Sequence, residues 1–304
     1  MLRKRNARAA LVVLTGLAAA SAFAQGPPPP SFPPQQLDQL VARIALYPDP
    51  LLAQVMAAAT YPNDIPPAAQ WADQHHYLSG QALADAIQGD QLPWDPSVQA
   101  LLPFPSVLDM MNSDMRWTSD LGNAFLAQQQ DVMDAVQRQR AVAQRYGYLR
   151  SNGQVMVSGG PYIAITPVNP GYVVVPYYDP TVVFYAPRPG FFVGGAIRFG
   201  FGVSIGGYFA PWGWTPGGIR FDWVGHGVFL NGARWGRRWD NRAVYVHPYA
   251  AIRRPAPGFV RRPEAHPLER RSVPERNAAR EGRPAPREAH QGPARGGEKR
   301  EERH

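Results

Sequence analysis

The sequence contains no cysteine among its 304 residues. Disulfide bonds and thiolate chemistry are therefore excluded, and in an oxidising compartment the protein must be stabilised by its buried core. Glutamate is absent from residues 1–263, where every acidic side chain is aspartate, whereas eight glutamates follow. Aspartate is typical of turns and helix starts, while glutamate among arginine and proline is typical of a solvated segment. The two parts are therefore under different structural demands.

Long apolar runs are missing too, apart from one near the start. Four basic residues between positions 3 and 8 precede an apolar stretch over residues 9–20, and Ala22-Phe23-Ala24 then offers small residues to signal peptidase. The stretch is shorter than the about 20 residues that a membrane-spanning helix needs. We therefore predict a signal peptide over residues 1–24, a mature protein that begins at Gln25, and a periplasmic location.

The formal charge of +8 is unevenly distributed. Four positive charges belong to the predicted signal peptide and residues 253–304 carry a net charge of +6, which leaves the body between them near −2. The tail combines arginine, proline and glutamate with few apolar residues, so we expect it to be disordered and to attract anions nonspecifically. Its glutamates and the predicted export argue against nucleic acid as a partner.

The first half of the mature chain predicts helices. Residues 25–36 are rich in proline and are interpreted as a spacer, and residues 37–149 carry apolar side chains at helical spacing. Asp49 and Asp95 each precede a proline, so both are predicted to cap the start of a helix. The longest predicted helix covers residues 119–146.

The second half predicts strands. Residues 150–252 contain β-branched and aromatic runs separated by glycine and proline turns, and their tryptophans are interpreted as core residues. A membrane helix is disfavoured there by Arg198 and by the many glycines. The predicted class is α+β, with a helical region, a small antiparallel region rich in glycine and aromatics, and a disordered basic tail over residues 253–304. The clearest predicted strands cover residues 154–157, 162–165, 172–175 and 181–185.

Several segments together resemble a known family. They are Leu37-Asp38-Gln39-Leu40, the run IALYPDPLL over residues 44–52, the run YVVVPYYDP over residues 172–180, and Trp212-Gly213-Trp214. Over about residues 37–249 the chain is similar to the bacterial exported proteins grouped as domain of unknown function 3300. The resemblance implies an envelope protein with a helical region followed by a glycine- and aromatic-rich region. It implies no reaction and no active site.

Two local patterns match catalytic or cofactor motifs without their context. Residues 202–206, with Ser204 at the centre, match the nucleophile elbow of hydrolases, but the glycines and Pro211 that follow are not expected to form the required helix. Gly200-Phe201-Gly202 matches only the start of a dinucleotide fingerprint. We therefore predict no catalytic and no cofactor-binding residue.

Metal ligands are the next candidates. Asp73, His75 and His76 are close in sequence, and His226 and His247 lie near aspartates in the aromatic region. Only Asp73 and His76 have a spacing that places two ligands on one helix face. No metal and no other cofactor is predicted, and surface or capping roles are expected for these side chains.

One basic and aromatic group of residues is the candidate binding surface. Guanidinium groups bind anions through paired hydrogen bonds, and aromatic faces stack on sugar rings. The same residues could instead solubilise a sheet edge, and both interpretations remain open at this point. The members of this arginine–tryptophan cluster, predicted as anion or sugar contacts, are Arg234, Trp235, Arg237, Arg238, Trp239 and Arg242.

These features together predict an exported, envelope-associated binding or scaffold protein. The expected partners are another envelope protein or an anionic envelope polymer, such as peptidoglycan or lipopolysaccharide, with a membrane surface as a third class. The alternative is a periplasmic hydrolase that acts on envelope material, which requires convergent polar groups in one pocket.

Amino-terminal sequencing of the protein from a periplasmic fraction is expected to begin at Gln25, because the small residues at positions 22 and 24 define the cleavage site. A sequence that includes residues before Ala22, or recovery of the protein from the cytoplasm, would contradict the predicted export.

Overall fold

The structure is a computed structural model that describes residues 27–190, 193–200 and 202–248. The predicted signal peptide and the predicted disordered tail lie outside these residues. Among the described helices, none is long and apolar enough to cross a membrane. The helices that precede the first strand are α1 (Pro34–Val41), α2 (Asp49–Ala59), α3 (Ile65–Gln74), α4 (Gly80–Gly89), α5 (Pro96–Gln99), α6 (Pro105–Ser113), α7 (Met115–Ala127) and α8 (Gln129–Arg145).

Short antiparallel strands follow the helices and confirm the predicted α+β class. β1 pairs with β2, β3 with β6 and β4 with β5, while β7, β8 and β9 form a three-stranded sheet in that order. The strands are β1 (Val155–Val157), β2 (Ile165–Pro167), β3 (Tyr172–Val173), β4 (Pro176–Tyr178), β5 (Ile197–Phe199), β6 (Val203–Ser204), β7 (Arg220–Asp222), β8 (Gly227–Leu230) and β9 (Ala233–Arg234).

The long helix predicted over residues 119–146 is wrong, because α7 and α8 are separated at Gln128. The backbone of Gln128 has φ −137° and ψ 46°, which is not helical. Its side chain accepts from the N–H of Phe32 (2.7 Å) and donates to the carbonyl of Phe32 (3.3 Å). The proline-rich segment therefore docks where the helix breaks, and this contact between distant residues has no local signal.

The strand predicted over residues 181–185 is also wrong. This segment begins with a short helix, α9 (Pro180–Val183), because the carboxylate of Asp179 accepts from the N–H of Thr181 (2.8 Å) and Pro180 occupies the first turn. Asp95 caps α5 in the same way, through the N–H of Ser97 (2.9 Å), as predicted. The local capping geometry thus prevails over the β propensity of the valines.

Burial is confirmed for four tryptophans of the aromatic region, Trp212, Trp214, Trp223 and Trp235. The indole N–H of Trp212 donates to Gln99 Oε1 (3.0 Å), and that of Trp214 donates to the carbonyl of Ala100 (2.9 Å). The aromatic region therefore shares one hydrophobic core with the helical region.

A buried arginine joins the two regions. Arg140 of α8 is 0% exposed. Its Nε donates to the carbonyl of Ala45 (2.8 Å) and its Nη2 to the carbonyl of Tyr47 (3.0 Å). Its Nη1 donates to the carboxylate of Asp49 (2.6 Å) and to the carbonyl of Ile163 (2.8 Å). The guanidinium therefore connects α8 to the chain that enters α2 and to the segment before β2.

Asp49 is the buried anion of this network, so its predicted role as a helix cap is wrong. Pro48 occupies the N-cap position, and Asp49 lies in the first turn of α2. The carboxylate accepts from the indole N–H of Trp223 (3.1 Å) and the backbone N–H of Ile165 (3.3 Å), in addition to Arg140. The carboxylate therefore bonds to residues of other segments, whereas a helix cap would accept from the N–H groups of α2 itself.

Substitution of Arg140 by alanine is expected to lower the free energy of unfolding by about 3–5 kcal/mol, because it leaves a buried carboxylate and buried carbonyls without their donor. Arg138 on the same helix provides the matched control. It pairs with Asp38 (2.8 Å) at a partly exposed position, so Arg138→Ala is expected to lower that free energy by less than about 1 kcal/mol. Urea denaturation measures both values, and similar losses would contradict the role given to Arg140.

Candidate functional site

The arginine–tryptophan cluster is attached to the helical region through its tryptophans. Trp235 is buried and stacks on Phe125, with ring centroids 5.1 Å apart. Trp239 donates its backbone N–H to the carbonyl of Leu126 (2.9 Å) and its indole N–H to the carbonyl of Pro27 (3.0 Å). These contacts hold both the cluster and the proline-rich segment against the end of α7.

Two arginines of the cluster are used inside the fold. Arg237 donates to the carbonyl (2.6 Å) and hydroxyl (3.0 Å) of Thr60 and to the carbonyl of Arg242 (3.0 Å). Its guanidinium lies 3.7 Å from the ring centroid of Tyr61. Arg242 lies over the ring of Trp239 at 3.8 Å. Arg237 therefore secures the segment to the residues that follow α2, and Arg242 is packed beside it.

The remaining members, Arg234 and Arg238, are exposed. Arg238 pairs with exposed Asp240 (3.5 Å), and Arg234 on β9 reaches the carbonyl of Gly225 (3.5 Å). Of the six predicted contact residues, these two present their charge to solvent. Arg242 is half-buried and lines an open cleft together with Trp239, so the anion-contact hypothesis depends on Arg234 and Arg238 at the surface and on Arg242 in this cleft.

A group of partly buried polar side chains lies close to Arg237. Burial raises the pKa of Tyr61 well above its ordinary value, and the nearby charge of Asp95 raises it further, while Arg237 lowers it. Burial also raises the pKa of Asp64, whose carboxylate accepts from the backbone N–H of Asp95 (3.1 Å). Tyr61 therefore stays a neutral phenol, and its ring face is available to the guanidinium.

The candidate metal ligands are distributed over separate places. His226 Nε2 lies 3.1 Å from the carboxylate of Asp134, and His247 lies 4.0 Å from that of Asp95. Asp73 contacts His76 through its backbone carbonyl, which accepts a hydrogen bond from Nδ1 of the imidazole, and not through its carboxylate. In the described ranges, no group of three or more histidine and acidic side chains could hold a metal ion.

A cleft that the sequence patterns did not predict lies between the α3–α4 connection and β6. It encloses about 510 Å³, within the roughly 300–1,000 Å³ of small-molecule sites. Leu83, Leu102, Val203 and Phe209 form apolar parts of its wall. Its polar side chains are His75, His76, Ser79 and Ser204. Ser204 is distant in the chain from the other three, so only the fold brings it to them.

Backbone carbonyls orient both histidines of the cleft. Nδ1 of His75 lies 2.8 Å from the carbonyl oxygen of Trp71. The imidazole of His75 also stacks on the indole of Trp71, with ring centroids 3.9 Å apart. Nδ1 of His76 lies 2.6 Å from the carbonyl oxygen of Asp73. Because a carbonyl only accepts hydrogen bonds, each Nδ1 carries a proton. In the neutral ring, Nε2 is then a hydrogen-bond acceptor.

Ser204 lies on a strand and not on the sharp turn of a nucleophile elbow. It pairs with Tyr172 across β3 and β6. No helix was expected after Ser204, but a 3₁₀ helix covers Gly207–Trp212. Burial of Phe209 and Trp212 stabilises this short helix despite its proline. It is not the α-helix that the motif requires.

Three exposed tyrosines border the cleft. Tyr77, Tyr172 and Tyr208 are 70%, 49% and 45% exposed. Each contacts a residue of the cleft wall. Tyr172 lies opposite Ser204, and the Tyr208 ring packs 3.7 Å from where a Cβ on Gly80 would lie. The ring centroid of Tyr77 lies 6.3 Å from that of His75 and 6.0 Å from that of His76. We refer to the cleft with these three residues as the tyrosine-bordered cleft.

Close packing of tyrosine explains the Gly-Phe-Gly pattern. A Cβ on Gly202 would lie 3.3 Å from Cβ of Tyr172, and a Cβ on Gly200 would lie 3.4 Å from the ring of Tyr177. Glycine in a strand is typical of such close approach. Each glycine lies two residues from the residue directly opposite its tyrosine, so no sequence pattern shows the contact before the strand register is known.

Comparison with known proteins assigns the chain to a family. The family described as "Protein of unknown function (DUF3300)" matches residues 33–215. The chain belongs to the DUF3300 family. The tyrosine-bordered cleft lies within the residues that the DUF3300 family matches, and the arginine–tryptophan cluster follows them.

A curated relative extends the comparison. The uncharacterized protein YacH of Escherichia coli strain K12 is 37% identical over 222 residues, which cover 58% of this chain and 36% of YacH. The DUF3300 chain thus spans about a third of the length of the curated relative it matches. No solved structure matches the chain.

Substitution of Arg237 by glutamine is expected to lower the free energy of unfolding by about 1–3 kcal/mol, because the buried carbonyl of Thr60 loses a charged donor. The adjacent and exposed Arg238 supplies the control, and Arg238→Gln is expected to change stability by less than about 0.5 kcal/mol. Thermal or urea unfolding of both variants measures the difference. Equal stability of the two variants would contradict the anchoring role of Arg237.

Proposed function

We propose that this DUF3300 protein is an exported, envelope-associated binding protein with a scaffold role, and that it contacts its partner through the tyrosine-bordered cleft. The observation that carries the proposal is the exposure of Tyr77, Tyr172 and Tyr208 beside an open cleft of about 510 Å³. Clustered exposed aromatic surface marks binding sites, since tyrosine supplies a large apolar face and a polar tip.

The envelope location in this proposal is supported by the leader-like start of the sequence. Basic residues, a short apolar stretch and Ala22-Phe23-Ala24 follow one another in the order of a cleaved signal peptide. The absence of cysteine removes both lipid attachment at the cleavage site and disulfide bonds. A periplasmic protein without disulfides is consistent with the large buried core.

The partners in this proposal are an envelope protein or an anionic envelope polymer, with a membrane surface as the third class. The exposed side chains of Arg234 and Arg238 and the net charge of +6 over residues 253–304 supply attraction to anions. Such attraction weakens with salt, because the Debye length is only about 8 Å at physiological ionic strength. Contacts in the cleft would supply the salt-independent part of binding.

A hydrolase is the second candidate, and one observation favours it. Ser204 shares the cleft with His75 and His76, whose Nδ1 atoms are held by carbonyls as in a serine–histidine pair. Among the hydrogen bonds of the described residues, however, none joins Ser204 to an imidazole, and Ser204 lies on a strand. The binding role therefore has the better geometric support.

Co-sedimentation with washed cell envelopes tests the proposed function. In moderate salt, we expect the double variant Tyr172→Ala/Tyr208→Ala to pellet with the envelopes about tenfold less than the wild-type protein. Truncation of an aromatic side chain at a contact surface removes most of the binding free energy that this side chain contributes. Circular dichroism establishes that the variant is folded.

Tyr185→Ala is the matched control, because Tyr185 is 65% exposed and lies beside Thr181 and Phe184 in a different cleft. This variant is expected to pellet as the wild-type protein does. Equal sedimentation of the double variant and the control, with both proteins folded, would contradict the assignment of the cleft as the contact surface.

A further inference from the structure

We infer that the tyrosine-bordered cleft binds a neutral saccharide chain, with a sugar ring stacked on an exposed tyrosine and its hydroxyl groups bonded inside the cleft. This inference rests on the proposed function, since it names the ligand class of the same cleft. Three observations carry it: the position of Tyr172, the kind of polar groups in the lining, and the uncharged character of the lining.

Tyr172 packs on a residue of the cleft wall, Gly202, and its side chain shares a face of the β3–β6 pair with the hydroxyl of Ser204. Residues directly opposite each other in an antiparallel pair have side chains on the same face, and Tyr172 lies opposite Ser204. Gly202 lies under the start of the tyrosine side chain and leaves no Cβ between them. A sugar ring has apolar C–H faces and hydroxyls at its edge, so stacking on Tyr172 would bring those hydroxyls to Ser204.

The polar groups of the cleft match a polyol. His75 and His76 each present Nε2 as an acceptor in the neutral ring, because Nδ1 is bonded to a carbonyl. The hydroxyl of Ser79 makes no capping bond at the start of α4, and hydroxyl groups both donate and accept. The cleft therefore offers two acceptors, the Nε2 atoms of His75 and His76, and two hydroxyl groups, those of Ser79 and Ser204. Several sugar hydroxyls could form hydrogen bonds with these four groups.

The lining favours a neutral ligand. Among the described residues that line the cleft, none carries a carboxylate, an ammonium or a guanidinium group. A charged group taken into such a site would lose hydration without gaining an opposite charge, which is unfavourable. The arginines that attract anions lie elsewhere in the sequence, on β9 and beyond it. Within an envelope polymer, the cleft would therefore bind uncharged sugar units.

Isothermal titration calorimetry of the exported full-length chain tests the inference with two neutral probes, tetra-N-acetylchitotetraose and cellotetraose. We expect at least one probe to bind, and we expect Tyr172→Ala and Tyr208→Ala each to weaken the binding about tenfold, as loss of a stacking contact does. Tyr172→Phe keeps the stacking face, so its affinity is expected to stay within about twofold of wild type. Tyr185→Ala serves as the surface control.

A change from about 0.05 M to about 0.5 M salt separates the cleft from the charged segments, because screening acts on charge pairs and not on stacking. Affinity that is unchanged by salt supports the inference. It is overturned if neither probe binds at millimolar concentration, if the alanine variants bind as well as wild type, or if binding falls with salt. If neither sugar binds, but Tyr172→Ala and Tyr208→Ala still reduce sedimentation with cell envelopes, the proposed function is supported and this ligand class is excluded. If the protein hydrolysed either tetrasaccharide to shorter sugars, this result would support the ligand class and contradict the scaffold role.

Discussion

A buried guanidinium must find acceptors for its N–H groups inside the protein, because its desolvation otherwise costs several kcal/mol. Arg140 obtains them from the chain that enters α2 and from the segment before β2. Its carboxylate partner, Asp49, also accepts from Trp223, which directly follows β7 of the last sheet. One ion pair thus fixes the relative positions of α8, α2, the first hairpin and the aromatic region, and it explains why the IALYPDPLL segment contains a buried aspartate.

The candidate binding site depends on this arrangement. With α2 fixed, Gln54 donates to the carbonyl of Trp212 (3.1 Å), and Trp212 in turn donates to Gln99 of the α5 helix. These bonds hold the 3₁₀ helix whose Phe209 forms part of the cleft wall. The cleft is therefore built on packed elements and needs little rearrangement to accept a ligand, which is typical of small-molecule sites.

The predictable part of the structure was the part that local chemistry determines. Helical spacing, β-branched runs and buried tryptophans were sufficient for the α+β class and the core. Asp95 could be predicted as a cap, whereas the same dipeptide at Asp49 was misread because its partner, Arg140, is 91 residues away. The tyrosine-bordered cleft combines His75 with Ser204 and could not be found from spacing. The same limit applies to Gln128, where contact with Phe32 breaks a periodic helix.

Hydrogen–deuterium exchange, measured with and without cell-wall glycan fragments, tests the central claim that the cleft is the contact surface. Protection is expected in residues 75–80 and 202–209, which line the cleft or border it, since bound ligand slows exchange of the backbone amides it covers. Residues 234–242 are expected to exchange at the same rate in both samples. Protection confined to residues 234–242, with none at the cleft, would contradict the account and return the binding surface to the arginine–tryptophan cluster.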